Sequence, residues 1–327
     1  MSLSTGQPGH LRPLWRFVLG FIFAFFLANM LAASVAMHVG ELPSLGFDLV
    51  YRPAWVLLLL AGFTFFAVLL DRVSAPLPFM GLGRPWGFDA LKGLGIGAGM
   101  VFVGAACIAQ LGTLRFSGLD YRYMGLRAGA VLFVLITAAM AEELTFRGYP
   151  FQRLREATGS FAAVLIMSLL FGAVHLANPH ASLIGFLNTA LIGGVLCVAY
   201  LRTWRLWLPF GIHLGWNLTL GTVLGLPVSG LNEFSVYVLG RARGPLWVTG
   251  GAYGLEASLV GTGVSLLGFL ALLAFVPQTQ RPEVVSEAEA PFSVAVPPAP
   301  QPGSPAEQNP GPESGTDTRP PDAHPTE

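Results

Sequence analysis

Charge is what this sequence has least of. Only 11% of its 327 residues are Asp, Glu, Lys or Arg, while 53% are hydrophobic and the mean hydropathy is +0.62. Ordinary soluble domains carry about 25% charged residues, so this composition excludes a soluble globule and points to a chain that crosses a membrane many times. No block of basic residues with interleaved aromatics is present, so nucleic acid is not an expected partner. Cysteine is scarce as well: Cys107 and Cys197 both fall inside apolar runs, give no metal-ligand spacing, and read as small hydrophobes. The His-Glu-x-x-His helix of zinc proteases is missing, and no internal repeat is visible.

What is there is a series of apolar runs, at 17–39, 54–70, 91–111, 126–151, 161–177, 182–201, 206–226 and 257–276. Each is near the ~20 residues needed to cross a hydrocarbon core. The first is too long for a signal-peptide core of ~7 to 15 residues and reads as a first span. The expected fold is therefore all-α, a polytopic transmembrane bundle of about eight helices. Residues 227–256, with Glu233, Arg241, Arg243 and Trp247, are too polar to span and are expected at the interface or capping the bundle. From residue 277 the composition changes. This stretch holds 13 of the 25 prolines and eight acids against two bases, and so is expected to be a disordered tail. Three regions result: a leader with three spans (1–125), a membrane core (126–276) and the tail (277–327). Lys and Arg in the loops number ten on the side of the N-terminus and six on the other, which favours cytoplasmic termini in a cell (inner) membrane.

Against this apolar background a few polar residues stand out. Glu142 and Glu143 end the apolar part of the fourth run, and Arg147 follows one turn later. A carboxylate near the middle of a spanning helix costs on the order of 2.5 to 3.5 kcal/mol, so such a pair is expected to be functional. At helical spacing Glu143 and Arg147 can pair. Glu142 points about 100° away and is left for chemistry. The next run carries His175 with Phe171 one turn before it, on a face where the ring would limit water. The seventh carries His213 and Asn217, again four apart. Taken singly, the histidines fit satisfied core residues and the asparagine fits an interhelical hydrogen bond. Three such groups on three spans point to one polar site.

Together, Glu142-Glu143-x-x-x-Arg147, Phe171-x-x-x-His175 and His213-x-x-x-Asn217 resemble the motif set of the CPBP family, the CAAX proteases and bacteriocin-processing enzymes. The run Arg147-Gly148-Tyr149-Pro150-Phe151 is similar to the family pattern too. The resemblance covers residues 126–230. It implies an intramembrane endopeptidase acting on a membrane-tethered peptide or protein within the lipid bilayer. In that reading Glu142 activates water with help from His175, and His213 and Asn217 stabilise the oxyanion. Family members are called metalloproteases, and Glu142, His175 and His213 are a plausible set for Zn2+ or another divalent ion, although the glutamate and histidine mechanism needs no metal; the metal stays open. A proton-coupled transporter also uses carboxylates and histidines inside a bundle, and an inactive relative acting in immunity or as a scaffold is a second alternative.

Overall fold

The computed structural model describes residues 11–40, 42–118 and 124–280, and the expected tail lies almost wholly outside them. Among the described residues the chain is a bundle of helices with one small β-ribbon, as the composition predicts.

α1 (Leu11–Ile22) and α2 (Asn29–His38) form one apolar rod joined by a π-helical turn, Phe23–Ala28. Its buried stripe is alanine, with Ala24, Ala28, Ala32 and Ala36 all fully buried at four-residue spacing. Small residues at this spacing let another helix approach closely. α3 (Ser44–Leu69) meets this rod through its own stripe of Trp55, Leu59, Phe63 and Ala67, and the Trp55 indole N–H donates to the Ala24 carbonyl at 3.2 Å. This second span begins ten residues before the expected start at 54. Asp48 and Arg52 pair at 3.0 Å one turn apart, so the helix carries its polar start through Pro53.

After the short α4 (Pro76–Phe79), α5 (Gly87–Leu111) crosses, followed by strand β1 (Thr113–Gly118). The fourth apolar run is not one helix to residue 151. α6 (Met124–Arg147) stops at Gly148, and α7 (Tyr149–Thr158) folds back under the bundle. Tyr149 to Leu154 are buried there, and Arg153 shares Asp71 with Arg16 at 3.0 and 2.5 Å. α8 (Ser160–Val174) and α9 (Leu183–Thr203) follow as an antiparallel pair.

α10 (Trp207–Asn217) continues as a π-helical turn over Leu218–Val223. It lies directly on α5 through two glycine pairs. A Cβ at Gly97 would sit 2.1 Å from the Ile212 carbonyl oxygen, and one at Gly211 would sit 2.2 Å from that of Ala90; Gly93 and Gly215 are as tightly placed. Glycines four apart allow this backbone-on-backbone contact, and it sets the position of the helix that carries His213 and Asn217. The segment beyond, expected at the interface or as a cap, holds β2 (Val238–Arg243) and the short α11 (Leu246–Thr249). β2 pairs antiparallel with β1, a ribbon that periodicity did not reveal. α12 (Leu259–Phe275) completes the bundle. Among the described residues six helical segments are long and apolar enough to cross a membrane, while α10 and α12, expected as the seventh and eighth spans, are shorter.

Because α5 and α10 touch backbone to backbone, we expect Gly97→Leu to force them apart and cost about 1–3 kcal/mol. Gly95→Ala, which enters open space, should be neutral. Thermal unfolding of the two purified variants in detergent checks this.

Candidate active site

Near the C-terminal end of α6 the two glutamates have opposite environments. Glu143 is fully buried and pairs with Arg147, whose NH1 donates to Oε1 at 3.2 Å. Arg147 NH2 donates to the Gly193 carbonyl of α9 at 2.8 Å, and the guanidinium lies 4.6 Å over the Phe171 ring of α8. His213 Nδ1–H donates to the same Glu143 Oε1 at 2.9 Å. One buried ion pair therefore joins α6, α8, α9 and α10. Isolated charges would cost several kcal/mol each to bury, so the pair and its added hydrogen bonds must stay together.

Glu142, one residue earlier, turns the other way, with 22% of its side chain exposed, and lines a cavity of about 570 Å³. His213 Nε2 is the nearest basic group, 3.7 Å from Oε2. His175 sits where α8 runs into a 3-10 turn, half-buried and on the same cavity. Its Nδ1–H donates to the Phe171 carbonyl at 2.7 Å, and the two rings lie 4.8 Å apart. A proton fixed on Nδ1 leaves Nε2 of a neutral ring as an acceptor. Asn217, one turn beyond His213, is half-buried at the cavity wall. All of the polar residues singled out in the sequence thus gather around this cavity: Glu142, His175, His213 and Asn217 line it, and Glu143 and Arg147 stand behind them.

Other walls come from residues the sequence did not single out. Asn29, Tyr51 and Arg52 of α2 and α3 line the cavity, and the Tyr51 hydroxyl donates to Asn29 Oδ1 at 3.0 Å. A lone asparagine inside an apolar run was the signal available. Glu256, just before α12, is the second missed group. Its Oε1 accepts the Trp216 indole N–H at 3.0 Å, and its other oxygen accepts the Ser229 N–H. The Glu256 carbonyl accepts from Asn188 at 2.9 Å, and the Ser229 carbonyl accepts from Asn178 at 3.0 Å. The Glu256 carboxylate thereby ties the helix of His213 to Ser229, while the backbone carbonyls of Glu256 and Ser229 tie in α9 and the turn after His175. Burial pushes the Glu256 carboxyl above the usual range, and the N–H donors act in the opposite sense.

Among the described residues no three His, Cys, Asp or Glu side chains gather as a metal-holding group. Of the candidate ligands, His213 donates from Nδ1 to Glu143 and keeps Nε2 on the side of Glu142, 3.7 Å from its Oε2, and a carboxylate behind one ring nitrogen is also how a metal-ligating histidine is oriented.

Residues 125–219 match the family described as Type II CAAX prenyl endopeptidase Rce1-like. The match falls on the segment whose motifs resemble those of the CPBP family and the CAAX proteases. The family segment runs from the start of α6 to just past Asn217 and so contains all six of the polar residues above. The chain is also 39% identical over 82 residues to the protein named "Putative membrane peptidase YdiL" of Bacillus subtilis (strain 168), covering 25% of this chain and 32% of that relative. The chain thus spans about a third of that curated relative's length. No solved structure matches it. The matched segment does not include Asn29, Tyr51, Arg52 or Glu256, which come from outside it.

Removing Arg147 would leave Glu143 charged and buried without its counter-ion. We expect Arg147→Met to cost about 3–5 kcal/mol, and Glu143→Gln combined with it to recover part of that loss. Chemical unfolding of the detergent-purified single and double variants measures both.

Proposed function

We propose that the chain is an intramembrane endopeptidase that hydrolyses a peptide bond in a membrane-tethered peptide or protein. The observation that carries this reading is the asymmetry of the glutamates: one is neutralised by Arg147, and its neighbour faces a cavity walled by two histidines and an asparagine. Glu142 is the general base. It takes a proton from a water in the cavity as that water attacks the scissile carbonyl carbon. His175 holds the water through the lone pair of Nε2, since Nδ1 donates to the Phe171 carbonyl. The tetrahedral oxygen then carries negative charge. The Asn217 amide and His213 are the donors that meet it, and preorganised donors in a site closed to bulk water stabilise such charge strongly. His213 donates to Glu143 from Nδ1, so it has a second donor for the oxyanion only with Nε2 protonated as well. Glu142 then returns its proton to the leaving amine.

The cavity suits this chemistry, because a peptide bond cleaved inside a membrane needs a polar space that admits both water and backbone. Asn29, Tyr51 and Arg52 offer donors and acceptors to a peptide in extended form, opposite the acid and base groups. No step in this mechanism passes through a metal ion.

Cleavage of membrane-anchored peptides by the purified chain tests the reading. Glu142→Gln is expected to lower kcat by about 10²- to 10⁴-fold, the usual worth of a general base, with the unfolding temperature unchanged. Activity should survive a chelator. Loss on chelation with recovery on adding zinc would give the metal the role assigned here to Glu142 and His175. An unaffected Glu142→Gln enzyme would overturn the proposal.

A further inference from the structure

The β-ribbon carries charge that the catalytic reading does not use. Its register places Arg115 directly opposite Arg241, with Thr113 opposite Arg243, so three arginines share one face. All three are exposed. Like charges directly opposed across a ribbon repel, and among the described residues none of the three has an ion pair. Glu233, in the same polar segment, instead offers its backbone carbonyl to Arg127 at 2.9 Å. The other face of the ribbon is packed: Leu114 and Ala242 join the apolar core, and Gly240 lies against the backbone of Leu224. The ribbon is therefore held with its basic face outward.

Its position follows from the chain. β1 begins two residues after α5 leaves its span at Leu111, so at ~3.3 Å per residue it lies at the level of lipid headgroups. Arg241 and Arg243 also line a cavity of about 440 Å³, together with Asn232 and Ile108. A few residues beyond Arg243, Leu246 and Trp247 are 73% and 51% exposed, and tryptophan is a side chain that settles at a membrane interface. Arginine pairs with phosphate through two parallel N–H donors.

We propose that the arginine face of this ribbon and the adjoining cavity form a headgroup site for an anionic phospholipid. The phosphate lies between Arg115, Arg241 and Arg243, the headgroup polar atoms enter the cavity, and the acyl chains run down beside Leu111 and Trp247. The site shares no lining residue with the Glu142 cavity and does not rest on the protease reading.

The test uses the full chain in neutral detergent, stripped of lipid and titrated with phosphatidylglycerol, phosphatidylcholine or inorganic phosphate. Native mass spectrometry reads the bound lipid, and thermal unfolding reads stabilisation. Wild type should retain phosphatidylglycerol over phosphatidylcholine. The preference should fall about fivefold for each arginine changed to Gln, from roughly 1 kcal/mol per basic residue at a charged surface. The triple variant R115K/R241K/R243K should keep most of the preference, and R115Q/R241Q/R243Q, unfolding without lipid at the wild-type temperature, should lose it. Equal retention of phosphatidylglycerol by wild type and the Gln variant would overturn the proposal. Displacement of the lipid by millimolar inorganic phosphate would overturn it too, by making this a site for a free anion.

Discussion

The buried pair of Glu143 and Arg147 is the constraint on which the arrangement of the bundle depends. A carboxylate and a guanidinium shut away from water are tolerable only while each holds the other and every spare donor finds an acceptor. Here those acceptors and donors belong to other helices. Gly193 of α9 receives the guanidinium, Phe171 of α8 lies under it, and His213 of α10 donates to the carboxylate. Moving any one of these helices would expose a charge to an apolar surrounding, so the pair fixes their mutual positions more sharply than apolar packing alone could. It also fixes the His213 ring, and through the helix the direction of Asn217. The neighbouring Glu142 is then open to the cavity because α6 turns 100° per residue.

Several other charges among the described residues are placed in pairs near helix ends. Asp48 holds Arg52, Asp89 holds Arg205, and Asp71 holds both Arg16 and Arg153. The last of these binds α1, α3 and α7 at one end of the bundle and explains why α7, though polar by composition, is buried over its first six residues. The arginines of the ribbon contrast with this pattern, being outward, mutually opposed and without acidic partners among the described residues.

Much of the site was legible in the sequence because its information is local. Residues four apart on a helix share a face whatever the tertiary fold, so Glu143 with Arg147, Phe171 with His175 and His213 with Asn217 could be read directly. Their roles in catalysis rest on the mechanism proposed and not on that spacing. Helix limits were less legible where one or two residues overrode composition: α3 begins before the paired Asp48 and Arg52 and runs through Pro53, and α6 ends at Arg147, before Gly148 and four residues short of Phe151. The ribbon was hidden because its strands are six residues each and lie more than a hundred residues apart, so no local pattern joins them. Glu256 and Arg52 were missed for the same reason. Each looks like an ordinary loop or helix-end charge until the fold turns it toward the cavity.

The cavity has walls from four separate stretches of chain: the first helical rod with α3, Met100 of α5, the family segment, and the loop around Ser229 and Glu256. The segment at 125–219 carries Glu142, His175, His213 and Asn217, yet it encloses them on only some sides. Transplanted alone into another membrane scaffold, it would bring its reactive groups without the surface that faces them. On the proposed mechanism, two proteins sharing that segment could differ in what they admit, because the residues assigned to chemistry and the residues that face them across the cavity are written in different parts of the chain.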